Sequence, residues 1–177
     1  MKRDAVAVFG SSQASPSSPA YRTARDLGRE LARLGAEIRC GGYSGVMSAV
    51  AAGGKEAGGR VVGCTIDWFA DTRTPCPDLT EIQDSQDLHA RVQCLLQGAR
   101  SAIALSGGIG TFNELFWVWT LLLHGRKDAP GRLILLDGPW DELLDLLGRR
   151  FEFGEAARKL VRVANTPAEA ADLAWNG

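Results

Sequence analysis

The spacing of apolar residues along this chain switches repeatedly between two periods. "AVAVFG" (5–10) is a short β-branched run that stops at Gly10-Ser11-Ser12, and the Ser- and Pro-rich loop "SQASPSSPA" overlaps its end. Ala24, Leu27, Leu31 and Leu34 then recur at spacings of three and four, which predicts an amphipathic helix closed by Gly35. "AEIRCGG" predicts a second strand, "SGVMSAVAAGGKEAGG" a helix of small residues, and "RVVGCTI" a third strand. Residues 67–82 fit neither period and predict a loop with a short strand at its end. Downstream, "SQDLHARVQCLLQGAR" reads as a helix, "SAIAL" as a strand and "GTFNELFWVWTLLLHG" as a helix. "RLILLDG", "WDELLDLLGRR", "KLVRVAN" and "TPAEAADLAW" complete the alternation, the last helix announced by Thr166, Pro167 and Glu169.

Short, nearly all-apolar strands alternating with helices imply a parallel sheet covered on both faces. The expected fold is α/β, a Rossmann-like doubly wound parallel sheet in a three-layer α/β/α sandwich, with residues 1–177 forming one domain. Three strands end in small-residue clusters: Gly10-Ser11-Ser12, Gly41-Gly42-Tyr43-Ser44-Gly45 and Ser106-Gly107-Gly108-Ile109-Gly110-Thr111. Glycines there let backbone N–H groups approach an anion, and a helix N-terminus adds its positive dipole end. The chain has no G-x-G-x-x-G after its first strand, no G-x-x-x-x-G-K-[S/T] and no G-x-S-x-G. A dehydrogenase, a P-loop NTPase and an α/β-hydrolase therefore lack support, and a mononucleotide or similar small phosphate is the expected ligand.

Composition narrows this further. Acids and bases nearly balance at a formal net charge of −1, without the basic stripe that nucleic acid or an anionic membrane attracts. The N-terminal apolar run is too short for a signal peptide, and "LFWVWTLLL" is about half a membrane span. A cytoplasmic protein is expected. Cys40, Cys64, Cys76 and Cys94 show no C-x-x-C and no zinc spacing, even with His89 or His124. No metal and no cofactor are expected. Cys40 and Cys64 read as small core residues at strand ends, and disulfides are not expected in a reducing cytosol.

Residues 106–114, "SGGIGTFNE", resemble the PGGxGTxxE signature of the Lonely Guy (LOG) family. "VFGSS" (8–12) is similar to that family's first strand and turn, and "GGYSGVMSAVAAGGKEAGGRVVG" to its GGxxGxM segment. "DLHARVQCLLQGA" resembles the helix that supplies the family's active-site arginine, which maps to Arg91. The resemblance implies a cytokinin riboside 5′-monophosphate phosphoribohydrolase-like protein that hydrolyses AMP or an N6-modified AMP to free base and ribose 5-phosphate. It further implies phosphate binding by Gly107, Gly108, Gly110 and Thr111, catalysis by Glu114 and Arg91, and Ser11 and Gly42 as neighbours. Ser106 replaces the signature's leading proline, Asn113 stands where plant-type members often have glutamate, and Val92 replaces a lysine. With these departures the pattern resembles a divergent bacterial branch of the family, and they leave a second possibility: a non-catalytic nucleotide- or molybdenum-cofactor-binding carrier with the same cradle. The family's old lysine decarboxylase label fails on chemistry, because Lys2, Lys55, Lys127 and Lys159 all lie outside the three strand-end clusters and none is placed to form a Schiff base with pyridoxal phosphate.

Two residues carry competing local readings. Thr111-Phe112-Asn113-Glu114 spells a T-x-x-E capping box, in which the glutamate serves its own helix start; it equally places a carboxylate in a first turn, where the dipole favours the ionised form. That form suits a base or cation stabiliser better than a proton donor. Arg91 borders a stripe of Leu88, Val92, Leu95, Leu96 and Ala99, free to lie along the surface or to reach the sheet edge. His89, on the opposite border, reads as a surface residue. The 112–123 helix is apolar on nearly every side, with Trp117, Val118 and Leu121 outside its main face of Phe112, Leu115, Phe116, Trp119, Leu122 and Leu123. Such a helix is either wholly covered within the chain or part of a homodimer interface, and the homodimer is the expectation.

Overall fold

The computed structural model describes residues 4–177, so the basic start of the N-terminus lies outside the described residues. Among the described residues seven strands form one parallel sheet: β1 (Ala5–Phe9), β2 (Glu37–Cys40), β3 (Val61–Cys64), β4 (Glu81–Gln83), β5 (Ala99–Leu105), β6 (Leu133–Leu136) and β7 (Val161–Ala164). Their order is β4-β3-β2-β1-β5-β6-β7. The chain winds outward one way from β1 and the other way from β5, so the topological switch lies between these neighbours. That is the doubly wound arrangement the alternating pattern predicted.

Helices α1 (Pro19–Arg33), α2 (Val46–Glu56), α3 (Leu88–Leu96), α4 (Ile109–Leu123), α5 (Trp140–Arg150), α6 (Glu155–Arg158) and α7 (Pro167–Trp175) cover the two faces. One core joins Val6, Val8, Ile38 and Ile103 to Leu27, Leu31 and Val50 from α1 and α2 and to the alanines of α7. The other joins Ala7, Phe9, Leu133 and Leu135 to Leu95, Leu115, Val118, Trp119 and Leu144. Alternate residues of each strand serve opposite layers, as the pleat requires. The short α6 was not expected, because four residues are too few to show a period. Among the described residues no helix is long and apolar enough to cross a membrane.

Two expectations need correction. Cys64 and Cys94 form a disulfide, their Cα atoms 5.9 Å apart. Thirty residues separate them in sequence, and only the packing of α3 beneath β3 brings them together. Leu88 does not belong to the buried stripe of its helix; it is 43% exposed, and only Val92 and Leu95 of α3 are buried. The helix is capped by Asp87, which accepts the Ala90 N–H at 2.8 Å and leaves Leu88 on the outer side of the first turn.

Candidate active site

The three small-residue clusters extend from β2, β1 and β5, which are adjacent, so they meet at one edge beside the switch point. Backbone bonds tie them together: the Ser11 N–H donates to the Ser106 carbonyl at 3.1 Å, and the Val46 N–H donates to the Ser11 carbonyl at 2.8 Å. A Cβ on Gly107 would stand 2.2 Å from Thr111 Oγ1 and 2.9 Å from the Ser11 amide. Glycine at 107 is what lets the β1 and β5 turns close on each other. The Ser11 hydroxyl accepts the Gln13 N–H at 3.0 Å, which holds the first turn.

Helix α4 starts earlier than the T-x-x-E reading implies. Its N-cap is Gly108, with no side-chain capping bond, and Thr111 already lies inside the helix. The first-turn N–H groups have no intrahelical acceptor by geometry, and they point to the open edge where Gly108, Ile109 and Gly110 sit. A Cβ at Gly108 or Gly110 would meet nothing within 4 Å. An unshielded helix start of this kind is an anion site in the making. Gly107, Gly108, Gly110, Thr111 and Ser11 thus come together, whereas Gly42 sits deeper. It is buried, its Cα packs toward Gly63 of β3, and its carbonyl accepts the Cys76 N–H at 2.8 Å.

Glu114 therefore lies beyond the first turn and caps nothing. Its carboxylate is 3.7 Å from Arg91 Nη1, and each side chain is only 12% exposed. Burial pushes the carboxyl up to about 7, against the opposing pull of the Arg91 charge. The sequence pattern predicts an ionised carboxylate favoured by the dipole; burial instead outweighs the Arg91 charge and favours the neutral form.

Arg91 leaves the border of α3 and reaches inward. Its Nε donates to the Cys64 carbonyl at the end of β3, at 2.9 Å. Its guanidinium lies 6.0 Å from the Tyr43 ring centroid, and the Tyr43 hydroxyl itself accepts from the Ile66 N–H and donates to the Ile66 carbonyl. A Cβ on Gly41 would fall 2.2 Å from Arg91 Nη2 and 2.6 Å from Met47 Sδ, so only glycine leaves the arginine its place. Gly41, Tyr43 and the Cys64 carbonyl complete the arginine's surroundings, and sequence reasoning did not single them out as its partners. The one available signal was the G-G-Y spelling at a strand end. His89 stays outside, packed edge-on against Trp117 and hydrogen-bonded to Gln93.

An open sheet edge with a glycine-lined helix start has a buried carboxyl–guanidinium pair behind it, and such an arrangement suits a small anion held beside a group able to exchange a proton. The family model described as "Possible lysine decarboxylase" matches residues 47–174. Cytokinin riboside 5′-monophosphate phosphoribohydrolase LOG3 of Arabidopsis thaliana is 32% identical over 170 residues, spanning 93% of this chain and 78% of that protein. The chain belongs to this family, the Lonely Guy family. Among solved structures, the molybdenum cofactor binding protein of Rippkaea orientalis superposes with a TM-score of 0.74 at 23% identity, covering 98% of this chain and 96% of that one. The molybdenum cofactor carrier protein of Chlamydomonas reinhardtii gives 0.69 at 24% identity, covering 97% and 96%. At these identities the likeness is one of fold.

Proposed function

We propose that this protein hydrolyses the N-glycosidic bond of a nucleoside 5′-monophosphate, AMP or an N6-modified AMP, to free base and ribose 5-phosphate. The observation that carries the reading is Glu114, a buried carboxyl poised near neutrality beside Arg91 and behind an uncapped helix start. The 5′-phosphate sits on the N–H groups of residues 108–111. Five residues of helical rise, about 7 Å, separate that start from Glu114, leaving room for a ribose between them. As the C1′–N bond breaks, its electron pair leaves with the base and positive charge collects on C1′ and the ring oxygen. Ionised Glu114 stabilises that charge and draws a proton from the attacking water, whose oxygen bonds to C1′. An equal proton passes to the departing base, directly or through solvent, and restores the carboxylate. Arg91 keeps one donor on Cys64 and aims the rest of its fork at Glu114 and the sugar.

The same reading includes a homodimer through residues 112–123. Ile109 is 91% exposed and Trp117 37%, and they flank a shallow groove with Phe112, Phe116 and Leu121. This apolar surface borders the cradle.

A second reading, a carrier that binds without turnover, draws support from Val92. At the position of the family's lysine stands this apolar side chain, buried at 4% exposure, which offers a substrate no charge or hydrogen bond. Incubation of the purified protein with AMP, with chromatographic detection of free base, separates the two. Base release abolished by Glu114→Gln in a folded variant supports hydrolysis. Tight nucleotide binding without base release replaces it with the carrier.

A further inference from the structure

We infer that Cys64 and Cys94 form a reversible thiol–disulfide clasp that positions Arg91 against Glu114. Two links between β3 and α3 converge on the same residues. The Cys64 carbonyl receives the Arg91 Nε–H at 2.9 Å, and the Cys64 sulfur is bonded to Cys94, one helical turn beyond Arg91. The covalent bond therefore fastens the helix to the acceptor that aims its arginine.

Little else holds α3 so closely. The helix spans nine residues and buries only Val92 and Leu95. A further tether near the bridge is polar: Arg39 Nη1 donates to the Cys94 carbonyl at 2.5 Å. Opening the bridge leaves a short helix with two buried side chains, and local opening is easiest in such elements.

The bridge is also reachable from one side. Cys64 is fully buried, whereas Cys94 is partly exposed and lines a cleft of about 970 Å³ with Gln83, Asp87, His89, Gln93 and Trp117. Arg39 Nη1 stands 3.8 Å from the Cys94 sulfur, so a positive charge accompanies that atom when it is released as a thiolate in the second step of exchange. The other two thiols are unsuited. Cys40 is fully buried and burial pushes its thiol up to about 12, and burial likewise raises Cys76.

The exchange uses a dithiol reductant. One of its thiolates attacks the Cys94 sulfur, forming a mixed disulfide, and the Cys64 sulfur leaves with the bond pair and takes a proton. The second thiol of the reductant closes on its partner and releases Cys94. Two electrons and two protons pass to the protein, and the reductant departs as its disulfide. The reverse sequence, with a disulfide oxidant, restores the clasp.

The physical coupling is independent of the hydrolase reading, although its consequence for turnover rests on that reading. The test uses the full chain in buffers of defined dithiothreitol ratio, without denaturant. Alkylation and mass measurement after unfolding should count two reactive cysteines in the oxidised protein and four in the reduced one. Reduction should speed amide exchange at residues 91–96 by about tenfold or more, and should move the Glu114 titration, tracked by ¹³C NMR, above its value of about 7. Cys94→Ser should show both changes without reductant and no further response to it. Failure of native reduction, or reduction that leaves exchange and the Glu114 titration unchanged, overturns the inference. If Cys94→Ser does not fold, the reductant series on the unaltered chain decides. Loss of the AMP activity alone would sink the hydrolase reading and leave these readouts standing.

Discussion

Arg91 approaches Glu114 to 3.7 Å, a distance at which two charges interact strongly but no hydrogen bond forms. Burial favours the neutral carboxyl and the guanidinium favours the carboxylate; burial is the larger effect. Glu114 is thereby held near the pH at which it changes state, where a small change in its surroundings alters its charge.

Stability should fall with rising pH because of this residue. Its carboxyl moves from 4.5 in the unfolded chain to about 7 in the native one, so between those values the native state binds more protons. Native stability from Glu114 is therefore fully present below pH 4.5 and declines as pH climbs to 7, a loss of about 3 kcal/mol. Glu114→Gln removes the titration. The melting temperature of the variant relative to the parent should rise between pH 5 and pH 8 in scanning calorimetry, and a constant or falling difference would contradict the assignment.

Catalysis should take the opposite course. The ionised form does the work at C1′, so kcat/KM for AMP should increase with pH through about 7. Glu114→Gln should lower kcat by about 10² to 10⁴ with little change in binding. A variant retaining parental turnover would remove Glu114 from the reaction.

Gly107→Ala should strike the cradle. The added methyl meets Thr111 Oγ1 at 2.2 Å and the Ser11 amide at 2.9 Å, and the β1 and β5 turns must part to admit it. Overpacking of this kind costs about 1–3 kcal/mol of stability, readable by urea denaturation. Titration calorimetry should show weaker binding of AMP and of inorganic phosphate alike, and unchanged phosphate affinity would place the anion elsewhere.

Gly41→Ala displaces Arg91 without altering it, since the new Cβ would lie 2.2 Å from Nη2. With Arg91 pushed aside, the Glu114 titration should shift upward and kcat/KM at neutral pH should drop by about tenfold, a share of the positioning contribution. An unshifted pH profile would show that Gly41 serves packing alone.

Self-association should be visible by light scattering and lost when the α4 surface is made polar. Trp117→Glu places a charge on the apolar groove at a position that is already 37% exposed, so the fold should persist while the dimer dissociates. A parent sample running as a 19.0 kDa monomer would remove the interface.

The chain contains two T-x-x-E stretches that behave differently. Thr166 is a true cap: its Oγ1 accepts the Glu169 N–H at 3.1 Å, and Glu169 accepts the Asn165 N–H at 2.8 Å. Pro167 fixes the start of that helix. Before Thr111 stand glycines, which let α4 begin upstream and leave Thr111 buried and Glu114 facing inward. Local spelling could not decide between cap and carboxylate at 111–114, because the choice depends on where the helix starts. The strand ends were more legible. A glycine cluster after an apolar run leaves few alternatives to a turn, and the alternation of periods implied a parallel sheet.

Sequence alone therefore determined the layers, the strand and helix alternation, and the edge at which small residues gather. Periodicity and turn chemistry are local properties, written within a few residues of one another. The tertiary structure alone decided the proximity of Arg91 to Glu114, the dominance of burial over the Arg91 charge at that carboxyl, and the bond between Cys64 and Cys94. Each of these depends on distances between segments remote in the chain and on exclusion of water, and neither is expressed in the order of residues along any one segment.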